Sequence, residues 1–182
     1  MTLDEFYSTF EIRRLGSGES VCSFSCGDED LDDFIINDAS PYRDALLAVT
    51  YVLERRMNQE IVAYFSLAND RISLRDFPNN TEFNRFRRHR FVNEKRLTNY
   101  PAVKLCRFAV SGTIKGQSIG SFLLDYMKSW FIYDNKTGCR FMTVDAYSSA
   151  EAFYLKNGFF YLSNSDVDAK TRLMFFDLIN ID

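Results

Sequence analysis

Residues 102–131 narrow the choice of fold more than any other stretch. Val103, Leu105, Phe108 and Val110 make an apolar segment rich in strand formers. Ser111 to Gly120 follows as a loop carrying Gly112, Gly116 and Gly120. From Ile119 the apolar residues fall at Phe122, Leu123, Tyr126, Met127 and Trp130, which is helical spacing. A helix entered from a strand through such a loop exposes its first N–H groups, which have no partner inside the helix. The helix dipole adds partial positive charge there, so the turn suits an anion. Glycine lets the backbone approach a phosphate without a side chain in the way. Lys115, at the mouth of the loop, adds a charge that suits phosphate.

Two common phosphate loops fit poorly. A nucleotide-hydrolase loop needs a lysine directly after its last glycine, to hold the outer phosphates. Here Gly116 is followed by Gln117 and Ser118, and the spacing from Gly112 is one residue short. Asp145, at the end of an apolar run, mimics a magnesium partner only superficially. The Gly-x-Gly-x-x-Gly fingerprint of dinucleotide sites is absent. An ordinary helix entry packed under a loop is the plain alternative.

A chain of 182 residues suits one domain, residues 1–182, with a sizeable core. Eighteen Phe and ten Tyr supply large flat side chains to fill it. The net charge of -3 argues against a molecule built as a whole to grip polyanions. The four cysteines form no Cys-x-x-Cys pair and there is one histidine, His89, so no metal site is expected. Thiols this sparse suit a reducing compartment, and the acidic N-terminus lacks a signal-peptide core, so a cytoplasmic location is expected. The longest apolar run, 45–53, is too short to cross a bilayer, so no membrane partner is expected.

Along the chain, 10–15 reads as a strand and Asp28 as the N-cap of a helix running to about Asn37 or Ala39. Residues 40–47 fit a short helix or a loop. Residues 48–55 and 60–69 alternate as a strand pair joined through Arg56–Gln59, with Asp70 and Arg71 ending the second strand. The run 85–96 sets five arginines and one lysine against Glu94. It reads either as a solvated helix face or as a patch for a phosphorylated or nucleic-acid partner. Asn135 to Gly138 closes the central helix, with Gly138 as a left-handed cap. A buried strand at 139–144, a helix at 150–156 and final strands at 159–162 and 173–178 complete the chain. The last hairpin could pair with a second copy, making a homodimer.

Lys115-Gly116-Gln117-Ser118-Ile119-Gly120 resembles the pyrophosphate loop of the GNAT N-acetyltransferases, Gln/Arg-x-x-Gly-x-Gly/Ala. Lys115 stands in the Gln/Arg place, Ser118 in the first Gly place and Gly120 in the last. Ala150-x-x-Phe153-Tyr154-x-x-x-Gly158-Phe159 resembles the segment in which that superfamily delivers a tyrosine from a short helix. Phe24-x-Cys26-Gly27-x-x-x-Leu31-x-x-Phe34 resembles the opening of the branch that contains toxins acetylating aminoacyl-tRNA. Ile61-Val62-Ala63-Tyr64-Phe65-Ser66-Leu67 and Leu105-Cys106-Arg107-Phe108-Ala109-Val110 resemble two of its strands, so the likeness covers roughly residues 10–178.

This resemblance implies an α/β (α+β) GNAT-like fold: a central mixed, largely antiparallel sheet, helices on both faces, and a splayed strand pair that binds acyl-CoA. It implies acetyl-CoA as co-substrate and a primary amine or aminoacyl-tRNA as acceptor. A ribbon-helix-helix antitoxin would be a partner of the toxin type. The pantetheine arm would add to the backbone edge of Phe108, Ala109 and Val110. The diphosphate would sit on the N–H groups of Gly116, Gln117, Ser118, Ile119, Gly120 and Ser121, beside Lys115. Tyr154 would return a proton to the leaving thiolate. Glu54, Glu60, Asp145 or a water remain open as the base. Cys106 reads as a strand residue and not a nucleophile. A non-catalytic acyl-CoA-binding module is the alternative from another class.

Overall fold

The structure is a computed structural model, and it describes residues 3–92, 97–133 and 137–180. The chain divides into two compact units. One takes in Met1–Ala68 and Leu105–Asp125, the other Asn69–Lys104 and Tyr126–Asp182. Seven strands hydrogen-bond in the order β1-β2-β3-β4-β5-β7-β6. They are β1 (Phe10–Arg14), β2 (Val49–Arg55), β3 (Ile61–Ser73), β4 (Asn99–Val110), β5 (Phe141–Tyr147), β6 (Phe160–Tyr161) and β7 (Thr171–Asp177).

The first unit opens with helix α1 (Leu3–Thr9), whose Phe6 is buried against Phe10 and Phe122. Strand β1 pairs antiparallel with β2, and β2 with β3. The β2–β3 turn falls at Arg56–Gln59, with Gln59 in the left-handed region at φ 57°. Asp28 caps helix α2 (Glu29–Asp33) by accepting from the Leu31 N–H, as its place before an acidic first turn predicts. The expected single helix here is instead three pieces: α2, a π turn over Phe34–Asp38, and α3 (Ala39–Asp44). The wider turn puts Phe34, Ile35 and Ala39 into one core with Leu15, Val21, Phe24, Cys26, Val52, Tyr64 and Ala109.

The second unit is built on aromatic packing. Helix α4 (Asn80–Arg88), capped by Asn79, drives Phe83 and Phe86 into a core with Phe77, Tyr100, Phe141 and Phe175. Strand β5 pairs parallel with β4 over Ala102–Lys104 and Phe141–Thr143, and antiparallel with β7 along its length. Helix α6 (Ser148–Lys156) packs on β5 and β7. Strand β6 closes the order as a two-residue edge that carries the exposed Phe160. Helix α5 (Ile119–Tyr133) runs from the first unit into the second.

Two further expectations need correction. Strand β3 does not stop at Asp70 and Arg71 but runs on to Ser73. The Thr143 hydroxyl donates to the Asp70 carboxylate and Arg71 donates to the Asn99 side chain, so these polar residues find partners within the sheet. Gly138 is not in the left-handed region, so it is no such cap. Asn135 and Lys136 lie outside the described residues. None of the four cysteines is in a disulfide. Among the described residues no cluster of His, Cys, Asp and Glu could hold a metal ion, and no helix is long and apolar enough to cross a membrane.

Candidate active site

The glycine loop is fastened at both ends before it reaches α5. Strand β4 alternates at its tip: Ala109 is buried in the core of its unit, while Phe108 and Val110 are half-buried. The Ser111 N–H donates to the Val62 carbonyl at 2.8 Å, continuing the strand contact by one residue. The Ser111 hydroxyl then accepts from the Thr113 N–H, starting a 3-10 turn over Gly112–Ile114. Ile114 and Ile119 are both buried and pin the loop from below. Lys115, Gly116, Gln117 and Ser118 between them are exposed, and Gly120 and Ser121 are half-buried.

The conformation of this turn explains its residue types. Gly116 (φ 85°) and Ser118 (φ 60°) both lie in the left-handed region. An L residue is uncommon there, and the motif's usual glycine at the position of Ser118 is the residue without that penalty. The Phe122 N–H makes the first intrahelical bond of α5, to the Ser118 carbonyl at 3.0 Å. The N–H groups of Ile119, Gly120 and Ser121 come before it. This turn therefore offers three backbone donors and the positive end of a 15-residue helix.

Glycine at position 118 would relieve about 1–2 kcal/mol of left-handed strain. Its greater freedom in the unfolded chain takes back roughly 0.5–1 kcal/mol. Ser118→Gly is thus expected to stabilise the protein by about 0.5–1 kcal/mol, a melting temperature higher by about 1–4 °C. A lower melting temperature in thermal denaturation would contradict the left-handed backbone at Ser118.

The structure places Lys115 differently from the open mouth that the sequence suggested. Its ammonium donates to the Cys26 carbonyl. The Gly112 N–H donates to the Ser25 carbonyl at 3.1 Å. The loop is thereby bonded to the Phe24–Phe34 motif, a separate signature in the sequence. That motif is a packing device. Phe24, Cys26 and Phe34 are buried around Tyr64, whose hydroxyl donates to the Leu31 carbonyl at 2.7 Å. Gly27 stands at φ 88°, and the Asp32 carboxylate accepts from the Cys26 N–H at 2.7 Å. Burial raises the Cys26 thiol to about 11, which keeps it protonated and inert. Arg107, next to the strand tip, lies over the Phe34 ring at 5.1 Å.

Tyr154 belongs to the second unit. It sits on α6 with its ring against Phe153 and Phe159, both with centroids at 5.3 Å. The residue is 6% exposed, and its hydroxyl makes no hydrogen bond among the described residues. Burial pushes its phenol above the ordinary tyrosine value. Gly158 ends the helix at φ 80°, and a β-carbon there would come within 3.1 Å of Phe176. Both facts favour glycine in the Gly158-Phe159 pair.

The candidate bases are all engaged with cations. Glu54 pairs with Arg13 at 2.5 Å, Glu60 with Arg55 at 3.1 Å, and Asp145 with Lys104. The basic run is only partly a surface patch. Arg87 lies over Phe83, and Arg90 lies over Phe86 and pairs with Asp177 at 3.5 Å. Arg85 and Arg88 are exposed. Lys95 and Arg96 lie outside the described residues.

No family model matches the sequence and no curated protein matches it closely, but solved structures do. A tyrosine-to-phenylalanine mutant of KacT is 22% identical, with TM-score 0.73 over 94% of this chain and 96% of that one. AtaTR bound with acetyl-CoA is 20% identical, with TM-score 0.73 over 94% and 95%. AtaT complexed with acetyl-methionyl-tRNAfMet is 20% identical, with TM-score 0.67 over 92% and 94%. This is a GNAT fold. The GNAT fold accounts for the mixed sheet, the β4–loop–α5 passage and the late helix that carries Tyr154. At these identities the likeness is one of architecture, and the chemistry rests on the residues present.

Proposed function

We propose that this chain is an acetyl-CoA-dependent N-acetyltransferase acting on a primary amine. The observation that carries the reading is the turn at Gly116–Gly120. Two left-handed residues and three leading N–H groups meet at the start of a long helix, in a fold shared with a structure bound to acetyl-CoA. That turn suits a diphosphate. The backbone edge at Phe108–Val110 would take the pantetheine amides, and an N–H of Phe108 or Ala109 would stabilise the tetrahedral oxyanion.

The acceptor nitrogen attacks the thioester carbonyl, the carbon–sulphur bond breaks, and the thiolate leaves. Tyr154 returns a proton to that sulphur and is reprotonated from solvent. Its raised phenol keeps the proton in place until it is needed. Water removes the proton from the attacking amine, since Glu54, Glu60 and Asp145 are each committed to a cation.

Aminoacyl-tRNA is the acceptor class that we favour within this reading. Arg85 and Arg88 present exposed charge on α4 in a protein of net charge -3. AtaT, which shares the fold, is seen with an acetylated aminoacyl-tRNA and, as a toxin, with the C-terminus of the antitoxin AtaR. A comparable antitoxin would be the protein partner here. Incubation with acetyl-CoA and charged tRNA, followed by mass spectrometry of the aminoacyl end, should show a mass gain of one acetyl group. Acetylation of a polyamine or amino-sugar panel with charged tRNA untouched would replace this acceptor. Calorimetric binding of acetyl-CoA without transfer to any amine would make the chain a non-catalytic module.

A further inference from the structure

A lysine that no motif singles out lies directly behind the helix that carries Tyr154. Lys128, on α5, is only 4% exposed. Its ammonium donates to the Asn157 carbonyl at 2.8 Å. It also faces the rings of Phe176 at 4.3 Å and Phe159 at 5.8 Å. A buried ammonium is costly to desolvate, and a methionine would fill the same stem volume without that cost. The charge must therefore be judged by what it holds.

What it holds is the frame of Tyr154. Asn157 is the C-cap of α6, where the helix dipole favours a cation. The Asn157 N–H donates to the carbonyls of Phe153 and Tyr154, and its side-chain amide donates to Phe153 at 2.7 Å. The Phe159 N–H donates to the Tyr154 carbonyl at 3.0 Å, and the Phe159 ring packs against the Tyr154 ring. Lys128 thus touches both groups that fix Tyr154, the C-cap through its carbonyl and Phe159 through its ring face. It touches Phe176 as well, which packs on Phe159 with centroids at 5.7 Å.

We infer that Lys128 is a positioning residue that sets the orientation of the Tyr154 phenol. The inference rests on the acetyltransferase reading for its kinetic consequence, but not for its structural one. The test uses Lys128→Met and Lys128→Gln, each alone and combined with Tyr154→Phe. The glutamine keeps an N–H for the Asn157 carbonyl and serves if the methionine variant folds poorly. In the parent background Lys128→Met should lower kcat by about ten- to a hundredfold, as small misplacements of a catalytic group do. KM for acetyl-CoA should stay within about twofold, because the loop is untouched. In the Tyr154→Phe background the same change should cost less than about twofold, since two changes acting through one group are not additive.

A second readout separates this inference from the enzymatic one. With tyrosines labelled at the ring carbon bearing oxygen, the Tyr154 resonance is assigned by its loss in Tyr154→Phe. It should shift in folded Lys128→Met or Lys128→Gln protein. If the parent transfers no acetyl group, the acetyltransferase reading fails and the resonance alone decides the Lys128 link. An unmoved resonance overturns the inference. So does an equal loss of kcat in both backgrounds, which would mark a role in general packing only.

Discussion

Tyr154→Phe is expected to lower kcat by about a hundredfold or more while leaving the affinity for acetyl-CoA nearly unchanged. General-acid steps contribute about 10²–10⁴-fold to enzyme rates. The hydroxyl makes no hydrogen bond among the described residues, so its removal breaks no internal contact. The ring's packing on Phe153 and Phe159 is kept by phenylalanine. Steady-state kinetics beside calorimetric titration would check this, and a variant at the parent rate would strip Tyr154 of its role. The pH dependence has a definite sign. Burial raises the phenol, so the acid stays protonated through neutrality and is lost only as pH climbs beyond the ordinary tyrosine value of about 10. The same shift stabilises the fold below that pH, and the contribution disappears as pH rises through the raised value. An alkaline fall in kcat centred near pH 8 would therefore belong to another group.

Gly120→Glu should separate binding from folding. Gly120 is the second residue of α5, and its N–H is among the three that precede the first intrahelical bond. A carboxylate in the first turn of a helix meets the positive end of the dipole and is favourable by about 0.3–1 kcal/mol. Replacing a helical glycine adds to that. The variant should therefore melt no lower than the parent. Toward a diphosphate the same carboxylate is a like charge, and such juxtapositions cost several kcal/mol. The affinity for acetyl-CoA should fall by about a hundredfold or more. Unchanged affinity in a well-folded variant would remove the loop from the binding site. Loss of affinity together with a collapsed melting temperature would show only misfolding.

Much of the local structure around the candidate site could be read from residue patterns because the patterns have local causes. Asp28 before an acidic turn, the alternation in Val49–Arg55 and the apolar spacing after Ile119 each follow from backbone geometry. Glycine at 158 follows from a left-handed turn pressed against Phe176. What could not be read depends on distant partners. Phe6 alone gives little sign of α1 until Phe10 and Phe122 enclose it. Asp70 and Arg71 look like strand breakers until Thr143 and Asn99 bond them. Lys115 looks free until the Cys26 carbonyl takes its ammonium. Arg87 and Arg90 count as surface charge in the sequence but lie on phenylalanine rings in the fold. Lys128 looks like one polar residue on an apolar helix, and only its burial makes it notable.

The shortness of β6 bears on how copies of this molecule could meet. A neighbour docking edge to edge at Phe160–Tyr161 would find a ladder only two residues long, too brief to template a growing ribbon. Self-association there would have to lean on the protruding Phe160 ring, making it a matter of greasy contact and not of main-chain zippering.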